Sequence, residues 1–211
     1  DVATGGGHTA LTFSRHVREV VASDLTERML IAAKNFLATQ GATNVRCELA
    51  DAEALPFSDA SFDVVTSRIA PHHFADPRRF VHEVARVLVT GGRFLLDDNM
   101  APEDAELDTF MNRYEKWRDP SHVRAWRLSE WQSFVESAGL QIEHIEPLGK
   151  KRYGYLDWTG RMYMPEAESQ ALERWLLDAP PHVAEYFELT TVGGRVESLC
   201  ATYSILTARK P

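Results

Sequence analysis

In the first hundred residues, short apolar runs alternate with stretches whose apolar positions recur every three to four residues. Val17 to Ser23 is a strand-like run ending at Asp24. Thr26 then stands where a helix N-cap belongs, and Met29, Ala32, Ala33, Phe36 and Leu37 follow the i, i+3, i+4, i+7, i+8 pattern of one helical face. Gly41 stops that helix, and Asn44 to Leu49 and Phe62 to Ser67 read as the next two strands. Asp76-Pro77 pairs an N-cap with proline at the first helical position, and Phe80, Val84, Val87 and Leu88 share a face that Gly91-Gly92 is expected to end. Arg93 to Leu96 is a strand finishing at Asp97-Asp98. Such βα alternation with short connections predicts a parallel sheet covered on both faces, with right-handed crossovers.

The pattern changes after residue 100. Ser129-x-x-Gln132 reads as a capping box for a helix whose stripe is Trp131, Phe134, Val135 and Ala138, with Gly139 as its stop. Leu140 to Glu146 is strand-like. Residues 149 to 181 are aromatic-rich and show no strand alternation, so they predict a small helical lobe in which Leu172, Trp175 and Leu176 share a face. Val192-Gly193-Gly194-Arg195 is a turn, and Leu199 to Ala208 a closing strand. The expected organisation is a single domain over 1-211. Residues 1-100 form a ligand-binding half, 101-148 and 196-211 supply the rest of the sheet and helices, and 149-195 is an inserted lobe on the substrate side. Asp1-Val2-Ala3 looks like the end of a strand, and the natural N-terminus is expected to lie upstream.

The net charge of −8 disfavours nucleic acid as a substrate, because an acidic surface repels phosphate backbones. No apolar run approaches the roughly 20 residues needed to span a bilayer. Cys47 and Cys200 lie in separate strand-like segments and read as buried free thiols of a cytoplasmic protein. No CxxC or HExxH spacing supports a metal site. The expected partner is a small-molecule substrate, with no nucleic acid or membrane, and a homo-oligomer is compatible with the sequence.

Candidate chemistry begins with Asp1-Val2-Ala3-Thr4-Gly5-Gly6-Gly7-His8, a glycine-rich turn between a strand and a helix that lets a ligand approach the backbone. Gly5-x-Gly7-x-x-Ala10 also fits the dinucleotide pattern, and an unliganded tight turn is the bland alternative. Asp24, at the end of the second strand, can accept hydrogen bonds from a ribose diol, or it can simply be an acid beside a helix start. Leu25 beside it can pack on an adenine face. Asp51-Ala52 follows the third strand, and a carboxylate there can accept from an adenine amino group.

Taken in order and spacing, Asp1/Gly5/Gly7, Asp24, Asp51 and Phe62-Asp63-Val64-Val65 resemble the class I S-adenosylmethionine (SAM)-dependent methyltransferases. The similarity is greatest to the type 11 group, which includes ubiquinone/menaquinone-type enzymes. It covers residues 1 to about 98, including Gly91-Gly92-Arg93-Phe94. Arg118 to Arg124 and Leu128 to Trp131 also look like small bacterial members of that group. The resemblance implies an α/β fold. It would have a Rossmann-like, seven-stranded, mostly parallel sheet of order 3-2-1-4-5-7-6, with the last strand antiparallel and helices on both faces. It also implies SAM as cofactor and S-adenosylhomocysteine (SAH) as product. Asp1 would anchor the methionine amino group, and Ala3, Thr4, Gly5 and Gly7 would pass beneath methionine and ribose. Asp24 would hold the ribose, Leu25 and Met29 would pack nearby, Asp51 and Ala52 would meet the adenine edge, and Ser67 and Arg68 would lie near the methionine. The group often has glycine where Ala3 stands here.

Methyl transfer is an in-line displacement with a neutral leaving group, so positioning matters most and a base is needed only if the acceptor must lose a proton. Candidate bases are His72 and His73, which follow the fourth strand at the carboxyl edge where open α/β sheets bind ligands. Both could instead serve as caps. Asp97, Asp98 and His122 are further candidates. Phe110, Tyr114, Trp117, Trp126, Tyr153, Tyr155, Trp158 and Tyr163 either pack as a core or line an apolar acceptor pocket, with Tyr153-Gly154-Tyr155 the loop-like pocket candidate. Arg161 could pair with a substrate carboxylate. Two rival readings stand beside a methyltransferase: a SAM/SAH-binding module without turnover, and an NAD-dependent oxidoreductase. The second lacks a Tyr-x-x-x-Lys pair and has no use for Asp51.

Overall fold

The computed structural model describes residues 1–211. Eight strands and eight helices follow one another as α1 (His8–Ser14), β1 (Val20–Asp24), α2 (Glu27–Thr39), β2 (Val45–Leu49), β3 (Phe62–Arg68), α3 (Pro77–Val87), β4 (Leu88–Asn99), α4 (Ala105–Arg118), α5 (Leu128–Ser137), β5 (Gln141–Ile145), β6 (Gly149–Gly154), α6 (Tyr155–Gly160), α7 (Glu166–Leu177), α8 (Pro181–Tyr186), β7 (Thr190–Val192) and β8 (Arg195–Arg209). A 3-10 turn at Pro71–His73 precedes α3. No helix is long and apolar enough to cross a membrane.

The architecture is a Rossmann-like α/β fold with a mixed sheet, but the strands do not form the single seven-stranded sheet expected. β1 and β2 form a parallel pair, and a six-stranded sheet runs β3-β4-β8-β5 with β6 and β7 added on β8. β3 and β4 are parallel, whereas β5, β6 and β7 all pair antiparallel with β8. The two sheets are joined through the first residues of the chain. The Val2 N–H donates to the Thr66 carbonyl (2.8 Å), and the Asp1 carbonyl accepts from the Ser23 N–H (2.9 Å). Asp1 to Thr4 therefore bridges β1 and β3 with too few residues to count as a strand, which is why the sheet divides there.

The chain packs into two compact units: residues 1–98, 130–146 and 205–211 form the first, and residues 99–129 and 147–204 the second. In the first, α3 follows its sequence signals. The Asp76 side chain accepts from the Arg79 N–H, Pro77 opens the helix, and Phe80, Val81, Val84 and Val87 are buried. Phe80 meets Phe94 edge-on at 5.8 Å. Arg86 donates to the Leu55 and Phe57 carbonyls and to the Glu83 and Asp59 carboxylates, fastening the loop before β3 to this helix.

Several local expectations need correction. The buried face of α2 is Leu30, Ala33 and Leu37, whereas Met29 and Ala32 are exposed, so the apolar stripe is rotated toward the strands it covers. Thr26 occupies the N-cap without a side-chain bond. Gly91-Gly92 does not end α3, which stops at Val87. Both glycines lie inside β4 and exchange backbone bonds with Lys210. A side chain at Gly92 would come within 2.9 Å of the Val89 carbonyl, so the glycine answers to strand packing. Ser129 is already within α5, and its N–H and hydroxyl are taken by the Glu103 carboxylate, so Glu103 replaces the expected Gln132 capping box.

In the second unit the expected helical lobe also contains strands β6 and β7. β6 is polar, and its pairing with β8, not alternation, makes it a strand. Gly149 faces Tyr203, whose ring would clash with any Cβ there at 2.7 Å. The aromatics form a core: Phe110 stacks on Trp175 (4.4 Å), and Tyr114 meets Trp158 and Phe187 edge-on. Tyr155 is buried and donates its hydroxyl to the Ser169 carbonyl, so it packs inside and is not a loop residue of a pocket. Cys200 is buried and Cys47 half-buried, and both are free thiols.

Two stability measurements test this packing. Ala3 has φ 54°, and a left-handed conformation costs an L-residue about 1 kcal/mol, so Ala3→Gly should raise the unfolding free energy by up to about that much, seen as a higher urea midpoint with unchanged slope. The Arg86 hydrogen bond holds the Glu83 carboxyl below the ordinary carboxylate range. Its contribution is therefore complete above that range and is lost as pH falls through the lowered value. Glu83→Gln should lower stability at pH 7 and flatten the acid limb of a stability–pH curve.

Candidate functional site

The cofactor-site candidates, with His72, His73, Asp97 and Asp98, lie in the first unit, at the chain start and at the carboxyl ends of β1, β2, β3 and β4. The loop from Asp1 to Gly7 is shaped by three residues at positive φ, Ala3 (54°), Gly5 (53°) and Gly7 (83°). Gly7 is buried under α2, where an added Cβ would lie 3.3 Å from Ala33. The Asp1 carboxylate accepts from the Thr4 hydroxyl (2.5 Å) and the Thr66 hydroxyl (2.8 Å), which folds the loop back over its own start.

Asp24 ends β1 and is 9% exposed. Its Oδ2 accepts from the Gly5 N–H (2.9 Å) and its Oδ1 from the Thr26 N–H (2.9 Å). Each carboxylate oxygen has two acceptor sites, so a buried acid holding one backbone donor on each oxygen can still receive a vicinal diol. Leu25 and Met29 stand exposed at 69% and 41%. The Ala50 N–H donates to the Asp24 carbonyl, which sets the end of β2 beside that of β1. Asp51 follows, exposed, with one carboxylate oxygen accepting from the Glu53 N–H (2.8 Å), and Ala52 is buried. Apolar surface, a buried carboxylate with acceptor sites to spare and an exposed carboxylate make an acceptor set that fits an adenosyl group.

On β3, Ser67 is buried and donates to the Val2 carbonyl (3.0 Å), while Arg68 Nε donates to the Thr9 hydroxyl (2.9 Å). Ile69 comes next at φ 51°, its N–H donating to the Asp97 carbonyl (2.8 Å). The two histidines then separate in character. His72 is 4% exposed, its Nδ1 lies 2.7 Å from Asp98 Oδ1, and its N–H donates to Asp98 Oδ2 (2.8 Å). His73 is half-buried with its ring 4.2 Å from that of His72. Of the two acids ending β4, Asp98 holds His72 by its carboxylate, and Asp97 touches the segment through its backbone. Asp98 thus holds both the backbone and the Nδ1 side of the His72 ring and fixes the ring's orientation.

His122 does not join this cluster. It is buried in the second unit with Nε2 2.9 Å from Asn112 Oδ1. Asn112 also binds Asp108, on which Arg124 and Arg127 converge. Since Asn112 Oδ1 already accepts from the Ala125 N–H, His122 must donate to it, a locking role. Arg161 is exposed and lies over the Tyr153 ring. Sequence reasoning missed Thr9 and Thr66, whose hydroxyls hold Arg68 and Asp1. The only signal was a threonine inside an apolar strand.

Residues 1–96 match the family model described as a methyltransferase domain. The uncharacterized methyltransferase YcgJ of Bacillus subtilis is 49% identical over 146 residues, which cover 69% of this chain and 58% of that protein. The match thus spans less than two thirds of that relative's length. The ubiquinone/menaquinone biosynthesis C-methyltransferase UbiE of Idiomarina loihiensis is 36% identical over 172 residues, covering 76% of this chain and 68% of that protein. A crystal structure of a protein from Bacillus halodurans C-125, described as a methyltransferase, superposes with a TM-score of 0.98 at 42% identity over all of this chain and 91% of that one. On these sequence matches and the shared fold, the chain belongs to the class I SAM-dependent methyltransferases, in their type 11 group.

Proposed function

We propose that this protein transfers the methyl group of SAM to a small-molecule acceptor. The observation that carries the reading is the Asp24 clamp, in which one carboxylate holds both the glycine loop and the start of α2 beside exposed apolar surface. In this reading Asp24 receives the ribose hydroxyls, and Leu25 and Met29 cover the adenine. Asp51 and the Ala52 backbone meet the adenine edge. Asp1 anchors the methionine amino group, with the backbone of Ala3, Thr4, Gly5, Gly7, Ser67 and Arg68 along the methionine chain. Bound SAM supplies a methyl group on a cationic sulfur that departs as a neutral thioether.

The chain's own contribution is to hold the acceptor in line, keep water away and, for a protonated acceptor, remove a proton. His72 is suited to that last task. Asp98 fixes the orientation of its ring, and His73 packs beside it. The UbiE name describes a C-methyltransferase of quinone biosynthesis, which supports an acceptor with an aromatic ring bearing hydroxyls.

Calorimetric titration should give Kd values below roughly 100 µM, about −5.5 kcal/mol, for SAM and SAH, and no binding of NAD. Asp24→Ala should abolish both. Binding of NAD alone would sink the proposal, and binding without SAH release from any acceptor would leave a SAM-binding module. In a panel of small phenols and hydroquinones, assayed by SAH release, His72→Ala and Asp98→Asn should each lower kcat by roughly 100-fold with an unchanged Kd for SAM. Wild-type kcat in both variants would remove the base from the mechanism.

A further inference from the structure

Arg68 closes β3 with a guanidinium that is held in place but not neutralised. Its Nε donates to the hydroxyl of Thr9 (2.9 Å), in the first turn of α1, and the side chain is exposed. Its two terminal NH2 groups have no partner in the chain, and no ion pair joins Arg68 to a carboxylate. Acids are not scarce. The chain carries 31 acidic residues against 23 lysines and arginines, and Arg68 stands opposite Asp97 in the β3–β4 register. Fixing a long side chain on one exposed, neutral hydroxyl gains the fold little against the rotamer freedom lost. What the arrangement does provide is a planar fork of N–H donors set in advance.

The fork stands at the glycine loop. Ser67 donates to the Val2 carbonyl at the start of that loop, and Arg68 reaches Thr9, two residues past Gly7. Consecutive residues of β3 thus hold both ends of one loop. The carboxylates at this edge, Asp1, Asp24 and Asp51, can accept from hydroxyl and amino groups but repel another carboxylate. Arg68 is the one arginine or lysine among the residues assigned to the cofactor. The methionine moiety of SAM carries an ammonium and a carboxylate, and a guanidinium takes a carboxylate through two parallel N–H···O bonds.

We propose that the Arg68 side chain is a specificity-determining residue that pairs with the methionine carboxylate of the cofactor, and that Thr9 is the residue that positions it. This rests on the methyl-transfer reading above, which uses only the Arg68 backbone. Contacts to adenine and ribose recognise any adenosyl compound. The Arg68 fork adds a preference for SAM and SAH over adenosyl sulfonium and thioether compounds that lack the carboxylate.

The test is calorimetric titration of the full chain with SAM, decarboxylated SAM and 5′-methylthioadenosine. The wild type should bind SAM about tenfold or more tightly than decarboxylated SAM. Arg68→Ala should weaken SAM by about tenfold or more and bring the two sulfonium compounds within about threefold of each other. Its melting temperature and its 5′-methylthioadenosine affinity should match the wild type. Arg68→Lys, which keeps the charge and loses the fork, should fall between the two. Thr9→Val should weaken SAM by about threefold and leave decarboxylated SAM unchanged. A wild type without preference for the carboxylate, or a preference that survives in Arg68→Ala, would overturn the proposal. So would an equal loss of SAM and 5′-methylthioadenosine in Arg68→Ala, which would make the side chain a support of the loop. Unchanged SAM affinity in Thr9→Val would remove the positioning role. A wild type that binds none of the three would instead overturn the methyl-transfer reading, and this proposal with it.

Discussion

One carboxylate holding two backbone N–H groups organises the binding edge of this protein. Asp24 joins Gly5, in the loop that leaves the start of the chain, to Thr26, at the entry to α2. A charged acceptor on backbone donors makes stronger bonds than a neutral one, and a buried acid without such donors would be costly. The glycine loop from Asp1 to Gly7 bends through three positive-φ residues, one of them an alanine, and the Gly7 N–H closes it on the Thr4 carbonyl. Its shape depends on Asp24 at one end and on the Asp1 carboxylate, shared by Thr4 and Thr66, at the other.

Asp98 acts comparably on the neighbouring segment. It takes the His72 N–H and sets the His72 ring, so the turn after β3 is fastened to β4 by a charged acceptor as well. Ala3 and Ile69, both strained, lie in the two segments these acids secure. Strain is tolerated where the surroundings over-determine the backbone, and here the over-determining groups are carboxylates at strand ends. The second unit is secured differently. Buried Asp108 and His122 are linked through half-buried Asn112 under two arginines, beside an aromatic core in which burial pushes the Tyr114 phenol well above its ordinary range.

Elements with a strong local code were legible from the residues. α3 carries its own N-cap, its proline and a stripe of buried residues, and the turn at Gly193-Gly194 carries its two left-handed glycines. Elements whose state depends on a distant partner were not. β6 reads as polar coil and becomes a strand because β8 lies beside it. Gly91-Gly92 reads as a helix stop and instead serves a strand paired with Lys210. Glu103 caps α5 from 26 positions away, a distance no capping pattern covers.

The same division holds at the site. By itself the sequence determined the α/β alternation, the glycine loop, the acids at the strand ends and the histidine pair. Each of these is written in adjacent residues whose backbone needs or periodicity are local. Only the tertiary structure decided that Asp98 holds His72, that His122 belongs to a separate lock, that Tyr155 is core, and that Ile69 is strained and exposed. Those outcomes depend on which strand ends are neighbours and on which hydrogen bonds compete for one carboxylate. Hydrogen bonds act over about 3 Å, and the chain's order says nothing of that distance until it has folded.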